Sequence, residues 1–412
     1  MLRESEVLAL LMRRKANHSL AQALYTDPGV FDVDMNQIWY KSWLFAIPAC
    51  EIPKSSDYVV YEVGAYSVIL VRGNDGEIRA FHNSCRHRGS VLCKSKNGRN
   101  PKIVCPYHQW TYELDGGLIW AREMGPDFDA KANGLKVVHC RTFSGLVYIC
   151  LADEAPEFED FAAEAQRYLA RHDLENSKVA FESTIVENGN WKLVWDNNRE
   201  CCHCAGNHPS LCLTFPEDPS YIGNSGDDSL ASVLDQHVAR CEAVGAPSAY
   251  HMSEQGHWRF VRTPLVGTSE SYTLDGKAAV TKPNSSIPFK DAGSLLKMLY
   301  PASWNHFLSD HSIVFRITPI SPTETEVSTK WLVHKDAEEG VDYDLKRLTE
   351  VWIATNAEDK EVVENNQRGI MSPAYEPGPL SEKHEGGVIQ FGDWYARTLT
   401  QAITGQRLVA AE

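Results

Sequence analysis

Cys85-Arg-His87 and, seventeen residues further on, Cys105-Pro-Tyr-His108 place four metal donors in two matched pairs. A chain with such pairs has to fold so that two loops face each other at bonding distance. The pairs do not follow the usual zinc arrangement, in which two cysteines two to four residues apart precede two histidines. Each loop instead carries one thiolate and one imidazole. Around them run short β-type segments, "DYVVYEV", "YSVILVR", "IRAFHN", "KIVCPYHQWTYEL" and "LKVVHCRTFSGLVYICL", broken at Asn74-Asp75-Gly76 and Asp115-Gly116-Gly117. Turns of that composition close antiparallel hairpins. Residues 40–155 are therefore predicted to form an all-β domain.

Mixed pairs suit a [2Fe-2S] centre of the Rieske type, in which two cysteines hold one iron and two histidines the other. Neutral imidazoles in place of thiolates raise the potential to roughly −150 to +300 mV, the range of a one-electron relay. Residues 85–108 resemble the Rieske motif. Respiratory members carry two further cysteines beside the cluster, and Ser90 and Tyr107 stand in their places here. The likeness is thus to the oxygenase branch, with Cys93 a spare thiol.

The formal net charge of −15, with no long basic run, argues against a nucleic-acid or anionic-membrane partner. No apolar stretch approaches the roughly 18 to 20 residues of a membrane span. The opening "MLRESEVLALLMRRKANHSL" reads as an amphipathic helix without a cleavage site, which predicts a cytoplasmic protein. Eleven cysteines at irregular spacing predict reduced thiols plus metal ligands, not a disulfide framework. After the acidic boundary "DEAPEFED", residues 156–412 group strands ("VAFESTIVE", "SIVFRITPI", "TEVSTKWLVHK") and helices without strict alternation, the pattern of an α+β domain on an antiparallel sheet. Residues 1–39 are expected to pack on this domain as a helical segment. Residues 216–250, rich in Asp, Ser, Pro and Gly, read as loop.

A second constellation lies in "NWKLVWDNNRECCHCAGNHP". His203 and His208 are five apart, a spacing that does not align on a continuous helix, where neighbours are three or four apart. The helix must end or bend between them, and Gly206-Asn207 followed by Pro209 supplies the stop signals. Glu200 precedes His203 by three, and Asn197 precedes Glu200 by three. Non-haem Fe(II) uses two histidines and one carboxylate with open positions. The acidic run in "TEVWIATNAEDKEVVENNQRGI" offers Glu358, Asp359 and Glu361, and most acids on such a helix face solvent.

This segment resembles the catalytic segment of the Rieske non-haem iron oxygenases, Asn-Trp-Lys followed by an acid, two residues, His, four residues and His. The resemblance implies a helix-grip catalytic domain with an antiparallel sheet. It makes His203, His208 and Asp359 the ligands of a mononuclear iron, with Gln367 and Gly369 in their familiar places. It makes Glu200 the bridging carboxylate between that iron and a Rieske histidine of the neighbouring subunit, within a head-to-tail homotrimer. Cys201, Cys202 and Cys204 are left as packing residues on the ligand helix.

Most family members carry Asp at the bridge. Glu is typical of those acting on quaternary ammonium compounds, and three further stretches, including "LYPASWNHFLSDHSIVFRITPISPTETEV", resemble that branch. The implied reaction is hydroxylation of an N-methyl group with O2 and two electrons, followed by release of formaldehyde. Proline betaine is favoured ahead of glycine betaine and carnitine, with ring dihydroxylation of an arene as the rival chemistry. Electrons would come from NAD(P)H through a separate reductase carrying flavin and [2Fe-2S], since no Gly-x-Gly-x-x-Gly follows a strand here. A plain electron carrier would bind two irons per chain, and the oxygenase three. A quaternary ammonium group calls for an aromatic wall. Trp195, Trp258, Tyr300, Trp304, Phe307, Trp352, Trp394 and Tyr395 are available, of which Trp258, Trp304 and Phe307, with Asn197, are favoured. Arg259 and His306 are the candidates for a substrate carboxylate.

Overall fold

The structure, a computed structural model, describes residues 1–217 and 231–405. The chain divides into two compact units, Lys41–Pro156 and Met1–Tyr40 together with Glu157–Glu412.

In the first unit, the described residues form a seven-stranded antiparallel sheet. Its spatial order is Leu44–Pro48, Leu146–Cys150, Val137–Phe143, Ile78–His82, Tyr66–Arg72, Asp57–Val63 and Asn97–Arg99. A smaller sheet of Ile103–Val104, Thr111–Tyr112 and Leu118–Trp120 carries the second donor loop. Phe81, Ile69 and Val71 share one buried cluster with Cys85, Cys105, Trp110 and Tyr112, so the donor loops are anchored in the core. Gly116 closes the hairpin at φ +90°, and a Cβ there would lie 2.5 Å from the Phe81 ring. Both the backbone sign and the close approach require glycine.

The second unit is built on another seven-stranded antiparallel sheet. Its order is Ser177–Glu187, Glu324–His334, Ser312–Ser321, Ser303–Phe307, Ser294–Leu299, Trp258–Thr263 and His251–Met252. The 26-residue helix Leu345–Ile370 starts at Asp344, whose carboxylate accepts from Arg347 N. It buries Leu348, Trp352, Thr355 and Val363. Asp359 continues that row at a spacing of four, so it shares their helix face, whereas Glu361 is exposed.

The Asn-Trp-Lys segment shows why those three residues go together. Asn190 caps the helix Trp191–Asn198 through Lys192 N, and its own N–H donates to Gln367 Oε1 at 2.8 Å. Trp191 Nε1 and Lys192 Nζ both donate to the buried Asp34 carboxylate, brought in by the N-terminal segment. Burial pushes Asp196 on the same helix up to about 7, opposed by the Tyr25 hydroxyl that donates to it at 3.0 Å. A carboxyl raised in this way favours folding fully only below its unfolded pKa near 3.9, and that contribution is lost as pH rises to about 7. Asp196→Asn, which keeps the acceptor but cannot ionise, is therefore expected to gain stability over the parent as pH rises. The gain should reach roughly 4 kcal/mol by pH 8, read from urea unfolding at pH 4 and pH 8.

Three sequence expectations are corrected. Within 216–250, residues 231–242 form a helix, Ala231–Glu242, while 218–230 lie outside the described residues. The bidentate Arg240–Asp291 pair ties it to a segment 51 residues away, a contact that composition alone does not show. The helix expected to carry the histidines stops at Asn198, with Arg199 N already bonded back to Trp195 O. Cys201 and Cys204, expected as reduced packing thiols, are joined in a disulfide, and Cys202 is exposed.

Candidate active site

In the Lys41–Pro156 unit each donor pair sits on a tight turn. Gly89 N donates to Cys85 O and Gln109 N to Cys105 O, with Gly89 at φ +74° and Gln109 at φ +60°. The two sulfurs are buried, while His87 is exposed and His108 half-buried. The imidazole rings lie 4.7 Å apart, with His87 stacked 4.9 Å from Trp110. Tyr112 OH is 3.4 Å from Cys85 Sγ and accepts from Arg86 N. Paired thiols inside and paired imidazoles outside match the donor set of a Rieske [2Fe-2S] cluster.

In the other unit, His203 and His208 flank the short helix Cys204–Asn207. Their Nε2 atoms converge on Asp359 Oδ1, at 3.6 and 3.0 Å. His203 Nδ1 lies 2.6 Å from Glu200 Oε1, and His208 Nδ1 lies 2.8 Å from Glu358 Oε2. Burial opposes protonation of His203, but the Asp359 and Glu200 carboxylates outweigh it and push the ring up to about 9. The same carboxylates that favour a proton on His203 would favour a divalent cation there. Metal-binding histidines usually give their second N–H to a carboxylate, which fixes tautomer and ring orientation. Glu200 and Glu358 are placed for that. Glu358, grouped from sequence with solvent-facing acids, was missed because its partner is 150 residues away.

These residues open onto a cavity of about 90 Å³. Asn197, Nδ2 at 3.4 Å from His203 Nε2, and Trp304 line it. Trp258 and Phe307, expected there from sequence, do not. Trp258 packs on Phe161, Phe260 and His251, and Phe307 lies against His172. Strand side chains alternate between faces. Arg259, next to Trp258, and His306, next to Phe307, are the ones that face the cavity.

The aromatic wall is made by Trp304, Phe315, Trp352, His306 and Phe215. Trp304 stacks on Phe315 at 5.2 Å, and Phe315 meets Trp352 at 5.1 Å and His306 at 5.7 Å. Burial, aided by Arg259, pushes His306 down to about 3, so this wall is uncharged. Arg259 is 6% exposed and Arg199 1%. Neither Nε nor Nη1 of Arg259 has a hydrogen-bond partner among the described residues, and Arg199 Nε is likewise unpartnered. Burial and the Arg199 charge press Arg259 down to about 9, which leaves it cationic at neutral pH.

Two family models match: the Rieske [2Fe-2S] domain over residues 42–141, and the ring hydroxylating alpha subunit catalytic domain over residues 162–401. The glycine betaine monooxygenase oxygenase subunit of Pseudomonas aeruginosa is 47% identical over 395 residues, covering 95% of this chain and 91% of that protein. The subunit of the same name from Chromohalobacter salexigens is 45% identical over 398 residues, covering 96% and 89%. Among solved structures, the quaternary ammonium Rieske monooxygenase CntA with L-carnitine superposes with a TM-score of 0.71 at 22% identity. That match covers 95% of this chain and 98% of the other, a likeness of fold. With a cluster domain and a catalytic domain on one polypeptide, the chain belongs to the Rieske non-haem iron oxygenases, as an alpha subunit.

Proposed function

We propose that this oxygenase hydroxylates an N-methyl group of a small carboxylated quaternary ammonium compound, a betaine, and releases formaldehyde. The observation that carries the reading is a neutral aromatic wall facing the same small cavity as a buried, unpartnered guanidinium. A quaternary ammonium cation is attracted to ring faces without needing a hydrogen bond. A carboxylate supplies what Arg259 Nε and Nη1 lack, and buried N–H groups are strongly driven to find an acceptor. The named relatives act on glycine betaine and carnitine, while proline betaine is the substrate favoured by the sequence.

His203, His208 and Asp359 would hold the mononuclear iron, and Cys85, His87, Cys105 and His108 the cluster. When bound, these groups activate O2 with electrons drawn from a separate reductase. The chain's own side chains do the rest. Arg259 and Arg199 fix one end of the substrate, and the wall presents its methyl groups toward the His203–Asp359 end. Asn197 and Glu200 keep the His203 ring in place. One N-methyl C–H becomes C–OH as O2, two electrons and two protons yield one water. The resulting N–CH2OH group then splits into formaldehyde, a proton and the demethylated amine. The trimer is expected as a head-to-tail ring, a heterologous contact that closes.

The test is a single turnover of iron-replete protein with proline betaine, glycine betaine or carnitine, reading formaldehyde per chain. Formaldehyde from a betaine supports the reading, and the yields rank the three. Diol from an arene, or no formaldehyde from any of them, overturns it. Glu200→Gln is expected to retain full iron content and the visible spectrum of the parent, yet to give no product in the same assay. Product at the parent yield would remove Glu200 from the relay.

A further inference from the structure

The cysteines of the ligand segment have no part in the chemistry above. Cys201 and Cys204 are bridged with Cα atoms 5.0 Å apart, well inside the span a disulfide allows. The pair brackets His203 in sequence. Cys204 is 4% exposed, and its Sγ belongs with the His203 and His208 ring nitrogens to a group of ligand atoms all within 4.8 Å of one another. Cys201 faces two ways: it lines the inner cavity and also an outer cleft of about 660 Å³ with Ser381 and His384. Small redox reagents have a route to the bridge through that cleft. None of the other nine cysteines is in a disulfide. A single bridged Cys-x2-Cys in such a chain is the pattern of a reversible couple, not of a stabilising framework.

We propose that Cys201 and Cys204 form a dithiol–disulfide couple that decides which metal the site accepts, iron when bridged and zinc when reduced. The inference rests on the reading of His203, His208 and Asp359 as metal ligands. While the bridge is closed, the sulfur of Cys204 is no thiolate, and the donors are two imidazoles and a carboxylate. That set, with open positions, suits Fe(II). Once the bridge opens, the Cys204 thiolate becomes a further donor beside the two imidazoles. A thiolate beside two imidazoles is a donor set of the kind zinc favours, and zinc already exceeds Fe(II) in intrinsic affinity. The bridge also removes an oxidisable thiolate from a centre that handles O2.

The couple balances with reagents of ordinary chemical class. Hydrogen peroxide takes two electrons from the two thiols: the O–O bond breaks, the S–S bond forms, and the thiol protons leave in two waters. A dithiol reductant returns two electrons and two protons, becoming a disulfide itself.

The experiment uses full-length protein that keeps its [2Fe-2S] cluster, with the mononuclear site emptied by mild chelation, before and after reduction with a phosphine. Alkylation and mass spectrometry count the thiols at Cys201 and Cys204. Zinc affinity is measured by chelator competition, and zinc K-edge absorption reports whether sulfur at about 2.3 Å is bound. Reduction is expected to raise zinc affinity at least tenfold and to add one sulfur. Cys201→Ser should show that state without reduction, and Cys204→Ser should never show it. If the bridged protein binds zinc through nitrogen and oxygen but reduction adds no sulfur, the couple is overturned and the ligand triad stands. If neither form binds zinc at the site, the triad reading falls, and the proposal with it. Both cysteines found as thiols in air-oxidised, peroxide-treated protein would likewise overturn the couple.

Discussion

Arg259→Met is expected to lower kcat/KM for the betaine by about a hundredfold, mostly through KM, with the protein no less stable than the parent. The two halves of this result have one cause. In the free protein the guanidinium is buried with two N–H groups unanswered and a second cation, Arg199, beside it. An unpaired buried charge opposes folding, so replacing it with an apolar chain of similar length should leave the melting temperature unchanged or raise it. In the proposed betaine complex the same N–H groups would meet a carboxylate. Truncating one partner of a buried charged pair costs about 2 to 5 kcal/mol, and a hundredfold loss corresponds to about 2.8 kcal/mol. Arg259→Lys should lose nearly as much, because an ammonium cannot reproduce the planar fork. Steady-state kinetics with formaldehyde detection, alongside thermal unfolding, reads both halves. An unchanged KM in Arg259→Met would mean that the substrate carboxylate does not lie at that end of the cavity. A large fall in stability would mean that the guanidinium has a structural partner.

Asp359→Ala is expected to reduce the iron content from about three per chain to about two. Product formation should fall below detection while the visible spectrum of the cluster is retained. Asp359 Oδ1 is the only atom that both histidine Nε2 atoms approach among the contacts described. Removing it leaves two imidazoles, too few to hold a labile divalent ion. Glu361→Ala, two residues on and on the exposed side of the same helix, should keep all three irons. Glu358→Gln should fall between: its target is the far nitrogen of His208, and partners of that kind typically contribute 10- to 100-fold in metal affinity. Metal analysis by mass spectrometry together with the cluster spectrum separates the three variants. Three irons retained in Asp359→Ala would exclude it as a ligand.

The cluster loops and the ligand segment were legible from sequence because their information is local. Cys85 with His87 and Cys105 with His108 lie within three residues of each other, and no fold can move such pairs far apart. Glu200, three before His203, meets it even though the helix that was expected to align them ends at Asn198. Asp359 follows the row Trp352, Thr355 and Val363 by the helical repeat alone.

The cavity wall was not legible in the same way. Trp258 and Arg259 are neighbours in sequence, as are His306 and Phe307, and each pair divides between the two faces of one sheet. A shift of one residue exchanges the faces. Their registers, Arg259 opposite Met298 and His306 opposite Leu296, are set by pairing with a strand some forty and ten residues away. Glu358 turns toward His208 only because the helix docks against a segment 150 residues earlier. From the sequence came the side chains that carry donor atoms and their pairing along the chain, since both depend on residue type and short spacing. Which rings and which guanidinium line the cavity followed only from the tertiary fold, because in a sheet the direction of a side chain follows from register, and register follows from contacts distant along the chain.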